Sequence, residues 1–304
     1  MFDADKLEKF DISKHSKELN DLISLRPYIV TFITNPVWLS KAKYYIHRDK
    51  GFYTLCKKSQ MYGKQIVYAL HPPFSKDANL EAEKAYYNEL SKEVDFQLSS
   101  LDVEFLGLPT PKEALHTEFI YKASNYPEGL PGKDFIRWRK VYNTIQSEGY
   151  TIELHANKVP FQLPSKMLQV ISSWKDDRKK YVANFTEWYV SNLRALDNFL
   201  VVAIINKSKQ MVSFSISQRI GNQIYFLDEK AHRNLPPLRN QARVQHIEAL
   251  KYWAKESNNP DILMTSGIGD KKYTHEEHTY DLNEHKRSLK PHLEVTIYKV
   301  RKNA

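Results

Sequence analysis

Apolar side chains recur along this chain at two periods, and the alternation between them divides it into strands and helices. In residues 51–70 the segments GFYTLCKK and KQIVYAL are dense in aromatic and β-branched residues and flank a polar turn at 61–63, which predicts a hairpin. Pro72 and Pro73 then break the chain, and Leu80, Ala82, Ala85, Tyr86 and Leu90 recur at near-helical spacing, predicting a helix within 75–94. Two further strands are expected at 102–106 and 118–123.

The stretch LPGKDFIRWRKVYN, residues 130–143, combines a turn at Pro131 and Gly132 with a helix expected over 133–147. Phe135, Trp138, Tyr142 and Ile145 form a stripe that faces a core, whereas Lys133, Arg137 and Lys140 line another face. A second helical region should start with Ser165 as N-cap, break at KDDRKK, and resume at Tyr181, Phe185 and Trp188. NFLVVAII, MVSFSISQR and QIYFLDE then read as an antiparallel meander. In its middle strand Val212, Phe214 and Ile216 alternate with Ser213, Ser215 and Ser217, the period of a strand with one apolar face. After Pro236 and Pro237 a helix carries Val244, Ile247, Leu250 and Ala254 on one side. It leads to the strand DILMT, a loop with Gly267 and Gly269, a short helix at 282–289 and a last strand, LEVTIYKV.

Composition narrows the function classes. At 304 residues and 41% apolar, the chain can bury a core large enough for two domains. The longest uninterrupted apolar run, Phe199 to Ile205, is too short to cross a bilayer, and the charged beginning MFDADKLEKF is unlike a signal peptide, so a cytoplasmic protein is expected. Cys56 is the single cysteine, which excludes an intrachain disulfide. The 45 basic against 36 acidic residues give a formal charge of +9 and favour anionic partners: nucleic acid such as tRNA or DNA, nucleotides, or acidic lipid headgroups. No nucleophile elbow, phosphate-binding P-loop or dinucleotide fingerprint is present.

The second half orders its elements as helix, helix, three antiparallel strands, helix, strand, helix, strand, which is the arrangement of the GNAT acyltransferase fold. FIYKASNYPEGLPGKDFIRWRKVYNTI, with Leu130, Pro131, Gly132, Lys133, Arg139 and Asn143, resembles the C-terminal domains of phosphatidylglycerol lysyltransferases and their soluble relatives. Trp174, Leu282, Lys286 and Pro291 match that family's later positions, and the resemblance covers about residues 100–300. It implies an α/β fold of tandem GNAT-like domains, with mixed, mainly antiparallel sheets flanked by helices. A divergent copy would occupy 1–128 and the transferase domain 129–304. It also implies transfer of an acyl or aminoacyl group from an activated donor to an amine or hydroxyl. The co-substrate would be aminoacyl-tRNA or acyl-CoA, with no tightly bound cofactor. In the lysyltransferases the acceptor is a lipid headgroup; without transmembrane segments, a soluble acceptor is expected here.

Acyl transfer needs a proton acceptor, a held carbonyl and donors aimed at the developing oxyanion. In this fold the strand corresponding to QIYFLDE supplies backbone donors, which makes Asp228 at its end and His232 just beyond it candidates for proton transfer. Lys286, at the family's lysine position, is the third catalytic candidate. The following helix start offers Arg239, Asn240, Gln241 and Arg243 to the donor's phosphates. Acyl-CoA enzymes of the fold place bare glycine backbone there, but here Ala242 and Val244 fill the glycine positions, so a displaced pyrophosphate and a donor other than acyl-CoA both stay open. Lys133, Arg137 and Lys140 are candidates for contacting an anionic substrate. His275, His278, Asp281 and His285 lie close together but match no strong zinc signature, and no metal is expected. Two alternatives accompany this reading: a transferase that modifies a nucleic acid base, and a non-catalytic binding protein whose pocket is filled by Tyr225 or Phe226.

Overall fold

The computed structural model describes residues 2–41, 44–61, 64–173, 180–235, 241–268 and 286–302. In chain order the elements are β1 (Glu8–Lys9), α1 (Ile12–Ser24), α2 (Pro36–Lys41), β2 (Tyr44–Asp49), β3 (Phe52–Met61), β4 (Lys64–Ala69) and β5 (Phe74–Ser75). Then follow α3 (Leu80–Leu90), β6 (Asp95–Ser99), α4 (Ser100–Leu106), β7 (Glu113–Lys122), α5 (Ile136–Ser147), β8 (Thr151–Ala156), α6 (Leu163–Ser172) and α7 (Lys180–Asn192). The remainder are β9 (Phe199–Ile205), β10 (Met211–Ile220), β11 (Gln223–Ala231), α8 (Gln241–Glu256), β12 (Leu263–Ile268) and β13 (Leu293–Val300). Two compact units result, one of Met1–Ile120 with Thr265–Ala304 and one of Tyr121–Met264. The resemblance implies a division at 128/129; the compact units differ from it in grouping the last segment with the first.

In the first unit the strands run in the order β1, β2, β3, β4, β6, β13, β7. The hairpin expected at 51–70 is β3 and β4, antiparallel from Cys56 opposite Ala69 to Met61 opposite Lys64. β13 inserts between β6 and β7, pairing Ile297 with Ser99 on one side and Leu293 with Ile120 on the other. This double pairing is why the C-terminal segment belongs to this unit. One core gathers Tyr86, Tyr87 and Leu90 of α3 against Ala69 of β4 and Phe96 and Leu98 of β6.

Residues 102–106 form the end of α4, not the strand that their apolar run suggests. Local chemistry decides it: Asp102 N–H donates to Ser99 Oγ at 3.0 Å, while the Asp102 carboxylate accepts from Ser99 N–H at 2.8 Å. This reciprocal cap satisfies two orphan donors, and Gly107, at φ +69°, closes the helix.

In the second unit β9, β10 and β11 make the expected meander, with β8 added outside β9. β8 was not read from the sequence. Ser213, Ser215 and Ser217 alternate with apolar residues as expected, yet they are buried as well. Helix α8 covers the serine face, and Trp253 Nε1–H donates to Ser217 Oγ at 2.9 Å. A buried hydroxyl is tolerable there because the indole donor meets it. Val244, Ile247 and Leu250 form the buried side of α8 as predicted. In α5 Trp138 and Ile145 are buried, with Phe135 just before the helix, while Tyr142 is half-buried and donates its hydroxyl to Glu248. Helix α6 begins at Leu163 after Gln162, with Pro164 in its first turn, so Ser165 lies inside the helix instead of capping it.

Candidate active site

The second unit brings together residues that the sequence offered separately. The entry to α5 is a tight turn in which Leu130 has φ +48° and Gly132 has φ +84° with ψ 170°, a region that side chains avoid. Arg139 donates to the carbonyls of Leu130 and Gly132, the latter at 2.8 Å. The motif's arginine is thus a clasp on its own turn. Lys133, Arg137 and Lys140 are exposed, as their spacing predicted.

Arg243 stands in the first turn of α8, only 7% exposed, with its guanidinium 5.8 Å from the centre of the Trp138 ring. Burial pushes its pKa below the usual arginine value, and the charge of Arg137 adds to that effect. A cation in the first turn of a helix opposes the helix dipole, and a second cation nearby raises the cost further. The ring of Trp138 offsets part of this through cation–π attraction. Such a cluster has the electrostatics of an anion site. At the first residue of the same helix, Gln241 Oε1 is buried and has no hydrogen-bond partner among the described residues. Val244, at the second glycine position of the acyl-CoA pattern, packs in the core with Val141, Ile145, Ile204 and Val212. The stretch read as a phosphate loop is therefore helical from Gln241 onward. Arg239 and Asn240 lie outside the described residues.

β11 carries a bulge. Ile216 opposes Asp228 but Ser217 opposes Phe226, so Leu227 has no counterpart on β10. Asp228 follows it immediately, half-buried, and accepts from Thr186 Oγ1–H at 2.5 Å, from Glu229 N–H at 2.8 Å and from Lys230 Nζ. Its oxygens are well engaged, and it ties α7 to β11. His232 lies four residues on, about 13 Å along an extended strand. Its Nδ1 accepts from Asn234 N–H at 3.2 Å, which places the proton of the neutral ring on Nε2. Burial lowers its pKa below 6.5, so the ring is neutral at physiological pH. Asp228 and His232 have separate partners and are not brought together. The neighbouring His246, which the sequence reading passed over, is 3% exposed between the Phe226 and Tyr121 rings, at 4.3 and 4.6 Å.

Lys286, the third candidate, belongs to the first unit. It is 8% exposed and donates to the carbonyls of Ser266 at 2.8 Å and Gly267 at 3.1 Å. Its charge is felt by Glu118, a residue missed in the sequence. Glu118 is 1% exposed; its Oε2 accepts from Phe32 N–H at 2.9 Å and faces Thr265 Oγ1 at 3.4 Å. Oε1 is buried without a hydrogen-bond partner among the described residues. Burial raises the carboxyl to about 7, against the opposing pull of the Phe32 amide and the Lys286 charge. Gly267, at φ +72°, is needed beside this site, since a Cβ there would lie 3.2 Å from the Phe32 ring. The sequence signal for Glu118 is a carboxylate set directly before the buried run Phe119, Ile120, Tyr121. The residues His275, His278, Asp281, His285, Trp174 and Leu282 all lie outside the described residues.

The chain has an α/β fold with mainly antiparallel sheets flanked by helices, which bears out the GNAT-like fold class expected from the resemblance. The same fold is seen in L-PGS from Bacillus licheniformis, at 14% identity over 98% of this chain and 94% of that one, with a TM-score of 0.62. It is seen also in the C-terminal domain (DUF2156) of a putative lysylphosphatidylglycerol synthetase from Agrobacterium fabrum, at 10% identity over 97% and 93%, with a TM-score of 0.64. FemX shares it at 10% identity over 97% and 95%, with a TM-score of 0.54. No family model matches the sequence, and no curated protein does. Among the described residues no helix is long and apolar enough to cross a membrane.

Proposed function

We propose that this chain is a GNAT-fold acyltransferase that moves an acyl or aminoacyl group from an activated, phosphate-bearing donor to an amine or hydroxyl. The observation that carries the reading is the placement of Arg243, buried in the first turn of α8 beside the Trp138 ring and within reach of the charge of Arg137, so that cationic charge gathers at a helix N-terminus, the end that favours an anion. Aminoacyl-tRNA is the donor favoured over acyl-CoA, because Val244, at the second glycine position of the acyl-CoA pattern, is a side chain buried in the core. The resemblance of the Leu130–Asn143 stretch to the lysyltransferases, whose donor is an aminoacyl-tRNA, supports the same choice.

In this reading the donor carbonyl lies along β11 at the Leu227 bulge, where backbone groups are released from the β10 ladder. The acceptor nitrogen or oxygen attacks the carbonyl carbon, its proton passes to a base, and the bond to the donor's leaving oxygen or sulfur breaks. Asp228, next to the bulge, orients β11 through its three donors, whereas His232 lies about 13 Å farther along the strand, beyond hydrogen-bond reach of a carbonyl at Leu227. Lys286 and Glu118 both lie in the first unit, where the charge of Lys286 is felt at the buried Glu118 carboxyl. The test is to supply labelled aminoacyl-tRNA and labelled acyl-CoA with a cell-extract acceptor pool. Turnover with at least one donor is expected, and Arg137→Glu, on an exposed position, should raise KM about tenfold or more, the value of one lost charge contact of ~1.4 kcal/mol. Absence of turnover with both donors would overturn the proposal.

A non-catalytic binding role is favoured by one observation. Tyr225 and Phe226 point to opposite faces of β11 and both are buried, so side chains cover that strand on both sides. Saturable donor binding without transfer in the same assay would establish that reading instead. A nucleic acid acceptor would show as binding that weakens steeply with salt.

A further inference from the structure

The first unit contains a cleft of about 790 Å³, well within the size of small-molecule sites. None of its lining residues belongs to the donor site above. Its wall is the segment Leu108 to Lys112, which follows the left-handed Gly107 and is stiffened by Pro109 and Pro111. Two prolines fix the backbone before any ligand arrives, which lowers the ordering cost of binding. Tyr87, Leu108 and Val300 give it an apolar floor.

The charges around this floor do not cancel. Arg301 is matched by Glu113 at 3.0 Å, and Lys299 lies 4.0 Å from Asp95. Lys92 and Lys112 are exposed, line the cleft, and make no ion pair among the described residues. Two lysines therefore face a rigid, partly apolar recess with their charge uncompensated. A purely inorganic anion would not use the floor, and a neutral aromatic would leave the lysines idle.

We infer that this cleft is a binding site for a small organic phosphate of nucleotide size, its flat apolar body on Tyr87, Leu108 and Val300 and its phosphates toward Lys92 and Lys112. This inference is independent of the transferase reading.

Titration calorimetry of the full chain with ADP, adenosine and pyrophosphate tests it. ADP should bind saturably and the two fragments each about tenfold more weakly or worse, with affinity for ADP falling as salt rises. The double variant Lys92→Glu, Lys112→Glu changes only exposed side chains and should weaken ADP about tenfold or more. Photo-crosslinking with 8-azido-ADP should label peptides containing residues 87–92 or 108–113. The inference is overturned if ADP shows no saturable binding up to about 1 mM, the weak end of specific affinity. It is equally overturned if adenosine or pyrophosphate matches ADP, if the double variant binds as wild type does, or if the label falls elsewhere.

Discussion

Replacing Glu118 by Gln removes a proton-binding group from the interior while leaving an oxygen to accept from Phe32 N–H, the 2.9 Å contact. The wild-type carboxyl, 4.5 in the unfolded chain, rises to about 7 when buried. The folded state therefore holds this proton more tightly than the unfolded state does. That contribution to stability is complete below pH 4.5 and is lost as pH rises through about 7. At 1.36 kcal/mol per pH unit, the whole effect is ~3 kcal/mol. Glutamine cannot titrate, so the difference in unfolding free energy between wild type and Glu118→Gln should change by ~3 kcal/mol between about pH 4 and pH 8, moving in favour of the wild type toward acid. Urea unfolding of both proteins at successive pH values measures the energy, and side-chain ¹³C NMR of labelled glutamate measures the midpoint directly. Lys286→Met should push that midpoint higher still, because the ammonium charge opposes protonation of Glu118. A flat difference across that range, or a Glu118 midpoint in the ordinary carboxylate range, would refute the reasoning.

Two further outcomes follow from local geometry. Ser99→Ala deletes one half of the reciprocal cap on α4 and should cost ~1 kcal/mol in urea unfolding; an unchanged midpoint would show that the cap is dispensable. Cys56 is fully buried on β3 and burial pushes its thiol pKa up, so Ellman's reagent should react only as the chain unfolds; rapid labelling of the native protein would contradict that burial.

The parts legible in the sequence are those in which one period dominates. The alternation in β10 and the heptad-like spacing of Val244, Ile247 and Leu250 each permitted one element type, and each was found. Where an apolar run was short and ambiguous, chemistry at a single residue decided it: Val103 to Leu106 became helical because Ser99 and Asp102 cap one another. β8 escaped notice because its exposure pattern has no buried face, as suits a strand at the edge of the meander. Site residues divide in the same way. Arg137 and Arg243 could be read as candidate anion contacts from charge and position, though nothing in the chain order placed them beside one another. Glu118 left only the signal of a carboxylate before an apolar run, since its environment is made by Phe32, Thr265 and Lys286, far apart in sequence.

The insertion of β13 between β6 and β7 has a consequence for synthesis on the ribosome. The second unit is one continuous segment, Tyr121–Met264, and all its residues are synthesised before residue 293 exists. β6 and β7, by contrast, each lack a neighbour until β13 is made, roughly 10–40 s after β7 at ordinary elongation rates. During that interval two apolar strand edges stand open to pairing with other chains. The chain thus completes the middle of its sequence first, and the nascent first unit depends on protection of those edges until the final strand closes them.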